Sequence, residues 1–126
     1  MKIFYLLLGV LFLFSAPAFA QTEKPSGIVL DSLASDGVRI VEYIPTDVCA
    51  NRIHIEVNRV GILENVVFTR SCDGNAKGIG ALLKGMKVQE AIEKLKGIPC
   101  GKRKTSCPDQ LAQALLKMQE KNSNIF

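Results

Sequence analysis

Four cysteines, Cys49, Cys72, Cys100 and Cys107, are the side chains of this chain most able to do chemistry. Three chemistries suit four thiols: a tetrahedral thiolate metal site, a pair of disulfides, or thiols that exchange electrons. The spacing, C-x22-C-x27-C-x6-C, lacks the paired C-x2-C knuckle of common zinc modules. On spacing and position alone, a metal site and two disulfides stand level. Each cysteine falls at the end of an expected element rather than in the middle of one. Cys72 and Cys107 open helices, where the helix dipole and free N–H groups favour a thiolate, the form that ligates metals and attacks disulfides.

Other polar residues read as supporting structure. His54, the single histidine, lies on the polar face of a strand, with no nucleophile and orienting carboxylate beside it. It reads as a solvated side chain. Asp73 and Asp109 each lie just beyond a helix-opening cysteine. Capping and dipole complementation explain both; the sharper alternative is a carboxylate that tunes or joins the thiol site. Gly74, Gly78 and Gly80 form G-x3-G-x-G, without the lysine and serine of a P-loop or the spacing of a dinucleotide fingerprint. Close packing explains them better.

The elements that position the cysteines follow from periodicity. Alternation from Val38 to Tyr43 predicts a strand that Pro45 ends. Ile53, Ile55 and Val57 alternate with Arg52, His54, Glu56 and Asn58, as in a half-buried strand. A short loop ending at Gly61 leads to a return strand over 62–69, with Ile62, Val66 and Phe68 at even spacing. After Cys72 the period changes. Asp73 reads as an N-cap, and Ala76, Ile79, Leu82 and Leu83 recur at helical spacing up to Gly85. A second helix spans 88–96, with Ala91, Ile92 and Leu95 inward and Gly97 closing it. Pro108 starts a third helix, whose apolar stripe is Leu111, Ala114, Leu115 and Met118. The expected fold is α+β: a three-stranded antiparallel sheet followed by three helices packed on one face.

Residues 1–20 have the layout of a signal peptide: Lys2, an apolar run over 3–14, and Ala18-Phe19-Ala20 as a cleavage site. The run is short for a transmembrane helix. The expectation is a cleaved leader, an exported protein (periplasmic or secreted) and no membrane contact after cleavage. A mis-assigned start would leave a cytoplasmic domain instead. Residues 21–37 read as a flexible spacer, 38–121 as the folded domain and 122–126 as a disordered tail. The chain carries 16 basic and 12 acidic residues and no tryptophan. Its one basic cluster, Lys102-Arg103-Lys104, reads as a solvated loop, so direct nucleic-acid binding is not expected.

Four runs then carry a resemblance. They are Tyr43-Ile44-Pro45-Thr46-Asp47-Val48-Cys49, Val66-Val67-Phe68-Thr69-Arg70-Ser71-Cys72-Asp73-Gly74-Asn75, Leu95-Lys96-Gly97-Ile98-Pro99-Cys100-Gly101 and Thr105-Ser106-Cys107-Pro108-Asp109-Gln110-Leu111. Together they resemble the TSCPD domain family, over residues 41–118, and most of all its small stand-alone members. That family is similar to the C-terminal domain of adenosylcobalamin-dependent ribonucleotide reductases. The resemblance implies that Cys49, Cys72, Cys100 and Cys107 form a metal-binding set, with zinc as the expected metal. It also implies an accessory module with a protein partner, such as a ribonucleotide reductase. Radical reduction of a ribonucleoside diphosphate needs a large barrel and a cofactor site, so the chain is not expected to be that enzyme alone. With the zinc removed, the fold is expected to be largely lost.

A second resemblance is to iron–sulfur scaffolds of the IscU/NifU type, through the segment 68–91 with Cys72 and the run Leu83-Lys84-Gly85-Met86-Lys87-Val88-Gln89-Glu90-Ala91. It implies an IscU-like fold and makes an iron–sulfur cluster, or thiol redox chemistry, the alternative. Cys49 is followed by Ala50 and Asn51, so the carboxylate of those scaffolds' first site is absent. An exported copy would meet an oxidising compartment, which favours the remaining alternative, a structural domain with two disulfides.

Overall fold

The computed structural model describes residues 25–121. The expected leader at 1–20, the first residues of the expected spacer and the tail at 122–126 lie outside the described residues. No helix among the described residues is long and apolar enough to cross a membrane.

The expected meander is present as β2 (Arg39–Ile44), β3 (Arg52–Val57) and β4 (Leu63–Thr69). Their period-2 pattern turns Val41, Tyr43, Ile53, Ile55 and Val57 into the core. The β3–β4 turn is built by Asn58, whose Oδ1 accepts the N–H groups of Val60 and Ile62 at 3.1 and 3.0 Å. Gly61 completes it with φ 77°. The return strand departs from the expected alternation. Val57 faces Leu63 but Glu56 faces Asn65, so Glu64 is an extra, bulged residue. The bulge makes Leu63, not Ile62, the first fully buried residue of the strand, three positions from Val66.

The sheet has four strands rather than three, in the order β1-β2-β3-β4. The additional strand, β1 (Gly27–Leu33), occupies what reads in the sequence as a spacer. Two physical facts hide it. It is an edge strand, largely exposed beyond Ile28, and a register shift between Ile28 and Leu30 breaks its alternation. It is held by its ladder with β2 and by one buried cation. Arg39 donates to both carboxylate oxygens of Asp31, at 2.8 and 2.7 Å, and to the Met118 carbonyl at 3.0 Å. The Arg39 hydrogen bonds hold the Asp31 carboxyl below its ordinary value.

Three helices follow: α1 (Asp73–Leu83), α2 (Val88–Leu95) and α3 (Cys107–Lys121). They cover one face of the sheet. The expected stripe of α3 is buried, as are Ala91 and Ile92 of α2. Cys72, not Asp73, is the N-cap of α1. Asp73 lies in its first turn, paired with Lys77 at 2.8 Å, where a carboxylate complements the dipole. Ala76 and Leu83 point inward, but Leu82, expected to do the same, is 78% exposed. Gly80 explains the placement of α1: a Cβ there would come within 2.5 Å of the Val66 carbonyl oxygen of β4. Gly74 and Gly78 have open space around the same position. Of the three glycines, only Gly80 serves close packing.

The other sheet face is open, and His54 lies on it. The side chain is half-buried rather than solvated. Its Nδ1 lies 2.7 Å from Glu42 and its Nε2 2.8 Å from Glu56. With a carboxylate at each ring nitrogen, both nitrogens are best served as donors. Burial opposes the charge, but the bonds to Glu56 and Glu42 outweigh it, and the His54 pKa is raised. The His54 bond in turn lowers the Glu56 pKa.

Two predictions follow from this geometry. Gly80→Ala should destabilise the domain by about 1–3 kcal/mol, because the helix must back away from β4. Gly78→Ala should be neutral or stabilise by up to about 1 kcal/mol. Urea unfolding of the two variants checks the contrast. The histidine cluster sets the second. The raised His54 pKa contributes stability that is complete below 6.5 and is lost as pH rises through the folded value. The lowered Glu56 pKa contributes stability that is complete above 4.5 and is lost as pH falls through the folded value. Thermal unfolding of the wild type should therefore peak between those limits, and His54→Gln should flatten the alkaline decline.

Candidate functional site at the cysteine cleft

The four cysteines come from four separate segments. Cys49 ends the loop between β2 and β3, Cys72 caps α1, Cys100 lies between α2 and α3, and Cys107 opens α3. The fold brings all four to the wall of one open cleft of about 570 Å³. Phe68, Ile79, Leu82, Ile98 and Pro99 supply apolar lining, so the exposed Leu82 belongs to this cleft rather than to the core. Cys49, Cys72 and Cys100 are exposed and Cys107 is half-buried; all four are free thiols.

Local contacts hold two of the sulfurs. The Ser71 hydroxyl donates to Cys107 Sγ at 3.7 Å. The Arg103 guanidinium donates to Cys49 Sγ at 3.6 Å. Arg103 also donates its N–H to the Cys100 carbonyl at 3.0 Å. The basic loop is thus tied to two cysteine segments, where the sequence suggests only a solvated cluster. The donor set suits a thiophilic metal in kind and in number. Its arrangement is looser than a finished ligand shell: among the described residues, no three His, Cys, Asp or Glu side chains form a group able to hold a metal ion. His54 takes no part, since it lies on the opposite face of the sheet.

The cysteine segments are joined by polar residues whose role the sequence only half reveals. Ser106 Oγ accepts the Asp109 N–H at 3.2 Å, the contact that caps α3. The S-x-x-D spacing is legible as a capping signal. The Asp109 carboxylate, however, points elsewhere. Its Oδ1 accepts the Gly97 N–H at 2.6 Å, and its Oδ2 accepts the Thr105 hydroxyl at 2.6 Å. Gln110, which sequence reasoning passes over, is buried. Its Nε2 donates to Thr105 Oγ1 at 3.0 Å, and its Oε1 accepts the Thr46 N–H at 3.1 Å. A buried glutamine on an otherwise apolar helix stripe is the one signal that could have found it. Of the run from Thr105 to Gln110, Ser106, Cys107 and Pro108 line the cleft, while Thr105, Asp109 and Gln110 bind three segments to one another.

A family model described as the TSCPD domain matches residues 30–119. No curated protein and no solved structure matches the chain. The match begins inside β1 and ends in the last turns of α3. It takes in all four cysteines and the polar residues that join their segments, and the chain belongs to the TSCPD domain family.

Proposed function

We propose that this chain is a small binding module in which Cys49, Cys72, Cys100 and Cys107 hold one zinc ion, and that it acts by docking to a protein partner. The observation that supports the reading is the convergence of four cysteines from four segments on one cleft. Chance rarely gathers every thiol of a chain at one place when each sits at the end of a different element. A bound zinc would supply a closed, structural link between these segments. A shell of four thiolates leaves no open position for a substrate, so catalysis by this module is not part of the proposal. The resemblance of the family to the C-terminal domain of ribonucleotide reductases makes such a reductase the first partner to test. Export directed by residues 1–20 is also part of the reading.

Disulfides are the competing state, because Cys49, Cys72 and Cys100 are exposed and free to react. Native mass spectrometry of the chain, purified anaerobically from the exported fraction, separates the two. The expected result is one zinc per chain with all four thiols intact after denaturation. A mass short by four protons with no metal would mean two disulfides and would end the zinc reading. Cys107→Ser should lower zinc affinity by more than about 100-fold, since loss of outer-shell partners alone costs 10–100-fold. It should also lower the thermal midpoint of the zinc-loaded protein.

A further inference from the structure

Cys100 sits on the loop with the least packing of its own. Residues 98–104 are all exposed, Ile98 being 40% exposed. Such a loop would ordinarily sample many conformations and hold its thiol in none of them. Arg103 ties its middle to Cys49 and Cys100, and one further side chain closes its two ends. Both ends of the 97–105 segment hydrogen-bond to the same carboxylate: Gly97 through its N–H and Thr105 through its hydroxyl, each at 2.6 Å from Asp109. Gly97 has φ 82°, so the chain turns sharply on leaving α2 and presents that N–H to Asp109. Asp109 is itself 7% exposed and fixed on the first turn of α3, two residues beyond Cys107.

We propose that Asp109 is a positioning residue: it closes the 97–105 loop so that Cys100 is held at the cleft lined by Cys107. Its carboxylate is turned to Gly97 and Thr105, and Asp109 is not among the residues that line the cleft. Its effect on the site passes through Cys100. The clamp is reinforced from the far side. Thr105 donates to Asp109 and accepts from Gln110, and Gln110 accepts the Thr46 N–H of the loop that carries Cys49. One hydrogen-bonded path therefore joins the Cys100, Cys107 and Cys49 segments. This inference rests on the four-thiol metal reading, but the clamp itself can be observed without metal.

The test uses the full chain, cobalt(II) as the probe metal, and four variants. Asp109→Asn keeps the shape of the side chain but gives up one of its two acceptors. Thr105→Val removes one loop end only. Ser106→Ala removes the helix cap and leaves the clamp. Cys100→Ser is the three-thiolate reference. The thiolate-to-cobalt charge-transfer band reads the number of bound sulfurs. Asp109→Asn should show the reduced band of Cys100→Ser and a zinc affinity about 10–100-fold below wild type. Ser106→Ala should keep the four-thiolate band despite lower stability, and Thr105→Val should fall between. In metal-free protein, amide hydrogen exchange over 97–105 should rise in Asp109→Asn, with exchange over α3 beyond its first turn unchanged.

A wild-type band in Asp109→Asn would overturn the proposal. So would a three-thiolate band in Ser106→Ala, since any weakening of the start of α3 would then suffice. If Asp109→Asn fails to fold, Thr105→Val decides: a reduced band supports the clamp and a wild-type band overturns it. If the wild type takes no cobalt, the metal reading fails by itself. The exchange pattern in the variants then judges the clamp, and unchanged exchange over 97–105 sinks it.

Discussion

The structure depends on satisfying buried polar groups at the first turn of α3. Ser106, Asp109 and Gln110 are all buried there, and an unpaired polar group in such a place costs about 1–3 kcal/mol. Each therefore needs partners, and for Asp109 and Gln110 these include groups far away in sequence. Asp109 requires the exit of α2, and Gln110 requires the loop after β2. Meeting these demands ties down two long connections, one of which is exposed throughout 98–104. The cysteines on those connections are placed as a consequence. The polar letters of the Thr105 to Gln110 run build the frame, and Cys107 uses it.

The fourth cysteine is placed by a different device. Cys72 caps α1, and α1 is seated where Gly80 lets the helix lie against the Val66 carbonyl. A side chain at Gly80 would lift the helix and carry its N-terminus with it. Two unrelated constraints, a buried polar junction and a glycine contact, thus converge on one cleft. Separate constraints can be tuned separately.

How much of this was legible in the sequence depended on the range of the interaction. The three helices and the β2–β4 meander follow from local periodicity, and Leu111, Ala114, Leu115 and Met118 are buried as their spacing implies. The end-of-element positions of the cysteines were also legible, because breaks in period mark them. Failures came where a non-local fact overrides the pattern. β1 is an edge strand with a bulge, so it has neither two buried faces nor a clean alternation to read. Leu63 replaces Ile62 in the core because Glu64 bulges. Leu82 keeps helical spacing but faces the cleft. Gly97, a partner of Asp109, and Thr46, a partner of Gln110, are 12 and 64 residues away, and no local rule connects them. His54 is alike: its Glu42 partner is a cross-strand neighbour, visible only once the register of β2 and β3 is known.

The location of the core bears on what a metal would do here. The buried apolar cluster runs through β2, β3, β4 and the three helices, and of the cysteines only Cys107 packs against it, at its margin. Arg39 closes the opposite end by joining β1, β2 and α3. A ligand at the cleft would therefore bridge segments of the rim, away from the centre of the core. A domain that keeps its core while its rim responds to a ligand can present one surface with the ion and another without it. If the proposed zinc and partner docking hold, that difference would make the ion a determinant of which partner is recognised.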